Sequence, residues 1–299
     1  MTKSLIFGCN GYIGRHLMSA LVGEDHSVTG VGIEDKAMGH LDSYHQIDCT
    51  QRDQLAVLDF EVDRIFVFAG LTGTHTGFSE YDSFLDRNDR VLLNILDAVR
   101  LSGHKPRIVF PSTRLVYKGL SKTPLVETAQ KEAKTVYAQN KLSCESYLRM
   151  FANAFEIDYT VFRICVPYGN AFDGEYSYGT IGFFLKTARS GNNISLYGDG
   201  TMMRTFTHVL DLTTAMITAL ESSKSVNQVY NIGGNDAITL LEVATLIAKK
   251  YGVGVEFSEW PEAAKKIESG DTIFDDSKIR ELPGLRYNHN IADWINGLD

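Results

Sequence analysis

A chain of 299 residues with 44% hydrophobic side chains can bury a sizeable core, which excludes a disordered polymer and suits one large domain or two sharing an interface. With 29 Lys and Arg against 37 Asp and Glu, the formal charge is −8, and no basic stripe supports binding to nucleic acid or to an anionic lipid surface. No apolar run reaches the ~18 residues of a spanning helix, and Met1-Thr2-Lys3 leads into a strand-like segment rather than a signal peptide's apolar block, so a cytoplasmic protein without membrane partners is expected. Cys9, Cys49, Cys144 and Cys165 lie far apart without Cys-x-x-Cys spacing, which predicts free structural thiols and no metal site.

Ser4 to Phe7 is near-continuously apolar and reads as a strand buried on both faces. Gly8-Cys9-Asn10-Gly11-Tyr12-Ile13-Gly14 follows at once and opens a helical pattern over Tyr12 to Val22. In such a strand-to-helix turn the first glycine permits the tight bend, the second lets backbone approach a pyrophosphate, and the third lets helix and strand pack closely. Backbone N–H groups at the helix start then face the phosphate charge. Gly8, Asn10, Gly11, Tyr12, Ile13 and Gly14 are therefore candidate dinucleotide contacts. Further strands are expected at Ser27 to Val31, Arg64 to Ala69, Arg107 to Phe110 and Tyr159 to Ile164, with helical spacing over Phe84 to Leu101 and Thr135 to Phe155. Strand, helix, strand repeated predicts an α/β fold, a doubly wound parallel sheet with helices on both faces. Ala69, at a strand end where such sheets place ligands, joins the cofactor candidates.

After Pro167-Tyr168-Gly169 comes a stretch rich in Gly, Tyr, Asn and Ser, Asn170 to Thr180. A boundary is expected there, with a dinucleotide-binding domain over 1–168, strands returning near 205–233, and a smaller substrate lobe over 169–299. In the lobe, Thr239 and Glu242 form a capping box ahead of Val243, Leu246 and Ile247, and Gly252 ends that helix.

Tyr137-Ala138-Gln139-Asn140-Lys141 places a phenol and an ammonium one helical turn apart on the same face. A cation held close favours the phenolate and draws the tyrosine pKa down from about 10, toward general acid–base work near neutrality.

Together, the G-x-x-G-x-x-G spacing, the Tyr137/Lys141 pair, Phe110-Pro111-Ser112-Thr113-Arg114-Leu115-Val116-Tyr117 and Tyr197-Gly198-Asp199-Gly200-Thr201-Met202-Met203-Arg204-Thr205-Phe206-Thr207-His208-Val209 carry a resemblance. Through most of its length the chain resembles the extended short-chain dehydrogenase/reductase family, the sugar-nucleotide epimerases and dehydratases, with a Rossmann-like fold. The resemblance implies that Tyr137, Lys141 and Thr113 are catalytic, with Ser112 as the alternative hydroxyl and a substrate contact. It matches Asn88 to a helix asparagine and Asp48 to an adenine-contacting acid. The family's second-strand acid aligns with Gly32, while Glu34 and Asp35 come two and three residues later and Lys36 is the nearest cation. NAD and NADP both stay open as cofactors, NAD favoured.

Hydride would pass between sugar and nicotinamide while Tyr137 moves the hydroxyl proton. Arg114 and Leu115 replace the Asp-Glu pair of the dehydratases, so water loss is not expected. Val166 replaces an asparagine that touches sugar or phosphate. Arg204 matches the arginine that grips the diphosphate, and Glu268 stands where relatives have a second arginine, leaving Lys266 as the other phosphate candidate. His208 is expected to pack rather than catalyse, and Val229 to Gly234 to be scaffold. The resemblance implies a homodimer through the helices near Phe84 and Thr135. The expected activity is at C4 of a nucleoside-diphosphate sugar, as a 4-epimerase. The alternatives are an NADPH-dependent 4-keto-6-deoxy sugar-nucleotide reductase and a non-catalytic nucleotide sensor.

Overall fold

Apolar runs with no polar face must be covered on both sides, and here they form the interior of a seven-stranded sheet. The computed structural model describes residues 1–22, 26–172 and 178–298. In chain order the sheet strands are β1 Thr2–Phe7, β2 His26–Gly32, β3 Ser43–Gln46, β4 Arg64–Val67, β5 Arg107–Thr113, β6 Tyr159–Ile164 and β7 Gln228–Ile232. They lie in the order β7-β6-β5-β4-β1-β2-β3, and the pairings of β3 with β2, β2 with β1, β1 with β4 and β4 with β5 are parallel. This is the doubly wound, Rossmann-like arrangement expected from the alternating pattern. The chain winds outward from β1 to β3, then restarts at β4 and winds the other way. That reversal opens a crevice at the carboxyl ends of β1 and β4.

Helix α1 spans Tyr12–Val22, α2 Val91–Ser102 and α3 Val136–Phe155. Thr135 caps α3, its side chain accepting from the Ala138 N–H at 3.1 Å. Leu5, Phe7, Ile65 and Val67 of the strands meet Leu92, Ile95 and Val99 of α2 and Leu148 of α3 in one core cluster. The helix expected over Phe84 to Leu101 is interrupted, because Leu85–Arg90 is π-helical ahead of α2. The wide turn brings Asn88 and Asp89 inward together, and both are buried. Their polar groups are met there: the Asn88 Oδ1 accepts from Leu71 N at 2.9 Å, and the Asn140 amide donates to Asp89.

Contacts divide the chain into two compact units, Met1–Val116 with Ala133–Arg163 and Leu220–Tyr230, and Tyr117–Glu132 with Ile164–Ala219 and Asn231–Asp299. Within the second, Val166–Tyr168, Met203–His208 and Asp236–Thr239 form a three-stranded sheet, and Ile194–Tyr197 pairs with Val255–Ser258. The Thr239/Glu242 capping box and the left-handed Gly252 bound the helix Leu240–Tyr251. Of the Asn170 to Thr180 stretch, residues 173–177 lie outside the described residues. All four cysteines are buried thiols, and burial pushes Cys49 and Cys144 up to about 12. Among the described residues no helix is long and apolar enough to cross a membrane, and no cluster of ligating side chains could hold a metal.

The glycine turn is fixed by contact. Gly8 has φ +77°, and a Cβ on Gly14 would lie 2.3 Å from the Gly8 carbonyl oxygen. Gly14→Ala should therefore destabilise the protein by about 1–3 kcal/mol, read as a lower urea midpoint. An unchanged midpoint would show that the turn tolerates the methyl group.

Candidate active site

In the first unit, Gly8, Asn10, Gly11, Gly32, Asp48 and Ala69 line a cavity of about 240 Å³ at the sheet's reversal point. A second cavity of about 370 Å³ adjoins it, sharing Ile33, Asp48 and Arg87. Tyr12, Ile13 and Gly14 are not in the lining. Gly8 is pressed against the chain leaving β4, where a Cβ would meet Ala69 N at 2.5 Å. Asp48 spends one carboxylate oxygen on Thr50, accepting from its N–H at 3.0 Å and its hydroxyl at 2.8 Å.

The position beside Gly32 is filled from two residues further along the chain. An ideal Cβ on Gly32 would lie 2.8 Å from Glu34 Oε2, so the Glu34 carboxylate reaches back to the end of β2. Asn10 holds it there, donating to Glu34 Oε2 at 3.1 Å and to the Lys36 carbonyl at 2.9 Å while accepting from Met38 N at 2.9 Å. Glu34 thus lines this cavity, although alignment by strand position passes over it. Glycine at position 32 was the signal for it, since only a missing side chain leaves this space. These residues suit a dinucleotide: a glycine cradle at a helix start, two joined cavities and an acid at the second strand.

Helix α3 presents the second constellation. Lys141 is buried and its Nζ donates to the Pro111 carbonyl at 2.7 Å, which ties α3 to β5 two residues before Thr113. The same ammonium lies 4.3 Å from the Phe110 ring centre and 5.7 Å from that of Tyr137, and Tyr137 itself is half-buried. Burial pushes the Lys141 ammonium down to about 8, offset in part by Cys144, Glu145 and Asp89. The Thr113 hydroxyl oxygen accepts from Leu115 N at 3.3 Å. Ser112 turns to the other side, donating to Glu145 Oε1 at 2.6 Å. Glu145 is in turn bound by Arg163, whose Nε donates at 2.9 Å and Nη2 at 2.6 Å, with both side chains buried. The Glu145–Arg163 pair is a feature that sequence reasoning missed, although Glu145 continues the four-residue spacing of Tyr137 and Lys141. Asn88 bonds Leu71 N and Asn140, at 2.9 and 3.4 Å.

In the second unit, Arg204 is buried and bound by protein. Nη1 donates to the carbonyls of Met203 at 2.9 Å and Gly270 at 2.6 Å, and Nη2 to Glu268 Oε1 at 2.7 Å. Lys266 is exposed, its ammonium 4.0 Å from Glu262, so the two cations picked from the sequence have different carboxylate partners. A cavity of about 320 Å³ is lined by Phe184, Tyr197, Met202 and Trp260, the Tyr197 and Trp260 rings 5.2 Å apart. The Met202 sulfur is 3.7 Å from Arg204 Nη2. His208 packs as expected, its ring stacked 4.0 Å from His289 and its Nδ1 accepting from Leu210 N at 3.3 Å. Asn231, of the segment read as scaffold, accepts from the Tyr117 hydroxyl at 2.6 Å and donates to the Leu125 carbonyl at 2.7 Å.

Comparison with known proteins adds to this geometry. The family model of the NAD dependent epimerase/dehydratase family matches residues 4–233. A UDP-N-acetyl-alpha-D-glucosaminuronate decarboxylase of Bacillus cytotoxicus is 30% identical, over 99% of this chain and 95% of its own. A UDP-glucose 4-epimerase of Mycolicibacterium smegmatis is 22% identical over 98% and 96%. Among solved structures, Pal from Bacillus thuringiensis superposes with a TM-score of 0.88 at 19% identity, covering 98% of this chain and 96% of that one. The UDP-glucose 4-epimerase of Thermotoga maritima, solved with UDP-glucose, gives 0.86 at 20% identity with the same coverage. At these identities the superpositions establish the fold.

A lysine held near 8 in the folded state and about 10.4 unfolded disfavours folding while it is charged, and the penalty fades as pH rises between those values. Lys141→Met should therefore unfold at higher urea than the parent at pH 7, with the gap closing toward pH 10. A variant less stable than the parent at pH 7 would show that the Pro111 bond outweighs desolvation.

Proposed function

The chain belongs to the NAD dependent epimerase/dehydratase family, and we propose that it inverts C4 of a nucleoside-diphosphate sugar by transient oxidation at that carbon. The observation that carries this reading is the buried Lys141 ammonium beside the half-buried Tyr137, anchored on the strand that ends in Thr113. Tyr137 takes the proton of the C4 hydroxyl as the C–H bond is broken and returns it in the reverse step. Lys141 lowers the cost of the phenolate, and the Thr113 hydroxyl donates to the reacting oxygen. A bound nicotinamide dinucleotide supplies the hydride acceptor and then the donor. Return to the opposite sugar face gives the epimer. With Arg114 and Leu115 after Thr113, no acid–base pair is available there for eliminating water.

The names of the relatives support a UDP-sugar as substrate class. Glu34 supports NAD over NADP: its carboxylate, beside Gly32 in the cavity, suits ribose hydroxyls and repels a 2′-phosphate. A cofactor that is regenerated in each cycle fits an epimerase rather than an NADPH-consuming reductase. The first unit would hold the dinucleotide and the second the sugar nucleotide. A homodimer belongs to the same reading, since α3 and the turns before α2 expose Tyr81, Leu85 and Met150.

With UDP-glucose, UDP-N-acetylglucosamine and UDP-glucuronate, NMR should show conversion of at least one to its 4-epimer without net change in NADH absorbance. Steady NADPH consumption with a 4-keto sugar nucleotide, and no epimer, would replace this reading by the reductase. Tyr137→Phe should lower turnover by about 10²–10⁴-fold with NAD binding retained. For Glu34→Arg, titration with both dinucleotides should show the preference moving toward NADP by about tenfold, one unit of 1.4 kcal/mol; unchanged selectivity would remove Glu34 from the ribose site.

A further inference from the structure

We propose that Glu268 is a specificity-determining residue that occupies the anion position on Arg204, so that a ligand phosphate engages this guanidinium only by displacing it. The proposal rests on the nucleotide reading above. Arg204 is a buried cation, and a buried cation needs a counter-charge. Here the chain provides one itself, Glu268 Oε1 at 2.7 Å from Nη2.

The pair lies behind the wall of the aromatic cavity: Met202 lines that cavity, and its sulfur is 3.7 Å from the same nitrogen. Tyr197 and Trp260 offer ring faces to a planar group such as a nucleobase. Phosphates following such a base meet a neutralised pair rather than an open cation. Both partners have further bonds: Glu268 Oε1 also accepts from Gly270 N at 3.1 Å and from Ser269 Oγ at 3.4 Å. Arg204 lies on a strand, and its Nη1 stays bound to the carbonyls of Met203 and Gly270 whatever Glu268 does. Glu268 is 23% exposed against 2% for Arg204, and it follows the end of the short helix Glu262–Ile267. The more exposed carboxylate is the partner that a phosphate would displace, at the expense of its bonds to Gly270 and Ser269 as well, and a phosphate oxygen can take the same N–H donor. As long as it stays, its charge repels every phosphate that approaches. Diphosphates are disfavoured most and uncharged nucleosides not at all.

The 299-residue protein would be titrated calorimetrically with UDP, CDP, GDP and dTDP and with the matching nucleosides, as wild type, Glu268→Gln and Glu268→Asp. The glutamine variant should bind a diphosphate at least tenfold more tightly, with nucleoside affinity unchanged. Glu268→Asp, which keeps the charge but draws it back, should tighten diphosphate binding by a smaller factor and decides the matter if the glutamine variant does not fold. Diphosphate affinity that is equal or weaker in the variants, with nucleosides still bound, overturns the gate and leaves the nucleotide reading standing. Failure of every nucleoside and diphosphate to bind any form overturns both.

Discussion

The arrangement around Tyr137 in the first unit depends on one ammonium kept out of water. A lysine buried beside an aromatic ring costs free energy, and here that cost is offset in part by the carbonyl of Pro111 and by nearby acidic groups. Because the carbonyl belongs to β5, the bond also sets how α3 lies against the strand that ends in Ser112 and Thr113. One turn further along α3, Glu145 joins Ser112 of β5 and Arg163 of β6 through buried charge-assisted bonds. The helix is therefore clamped at successive turns to two strands, and Tyr137 sits one turn before the clamp. Rigid support of this kind lets a phenol act from a fixed position.

Charge is managed differently in the two units. In the first, an acid comes to a place that the strand itself left bare: Gly32 gives up its side chain and Glu34 fills the space, fixed by Asn10 of the glycine turn. The turn thus does more than curve the backbone, since its asparagine also sets the residues that follow β2. In the second unit an acid cancels a buried arginine beside an aromatic cavity. An arginine so placed would otherwise be an open anion site. The bonds that fix them, Asn10 to Glu34 and Arg204 to Glu268, join residues distant in sequence, and both alter what a ligand would meet.

The central fold was legible because its signals are local. Buried parallel strands need unbroken apolar runs, α1 and α3 show their periodicity, and the Thr239 cap and the glycine spacing need only neighbouring residues. The interruption before α2 was not legible. Apolar spacing over Phe84 to Leu101 fits a regular helix, whereas the π-helical turn is stabilised by Leu71 and Asn140, which lie far along the chain. In sequence, Thr113 is the matched hydroxyl and its neighbour Ser112 the alternative. Alternation along β5 sends the first to Glu145 and leaves the second at the strand end.

By itself, then, the sequence determined the doubly wound sheet, the glycine turn and the Tyr137/Lys141 spacing, because each is written in residues within a few positions of one another. Tertiary structure alone decided that Lys141 is desolvated, that Glu34 stands in for a side chain at position 32, and that Arg204 is neutralised by Glu268. These depend on burial and on partners brought together by folding, and the free energy of a charge is set by such surroundings rather than by its place in the chain.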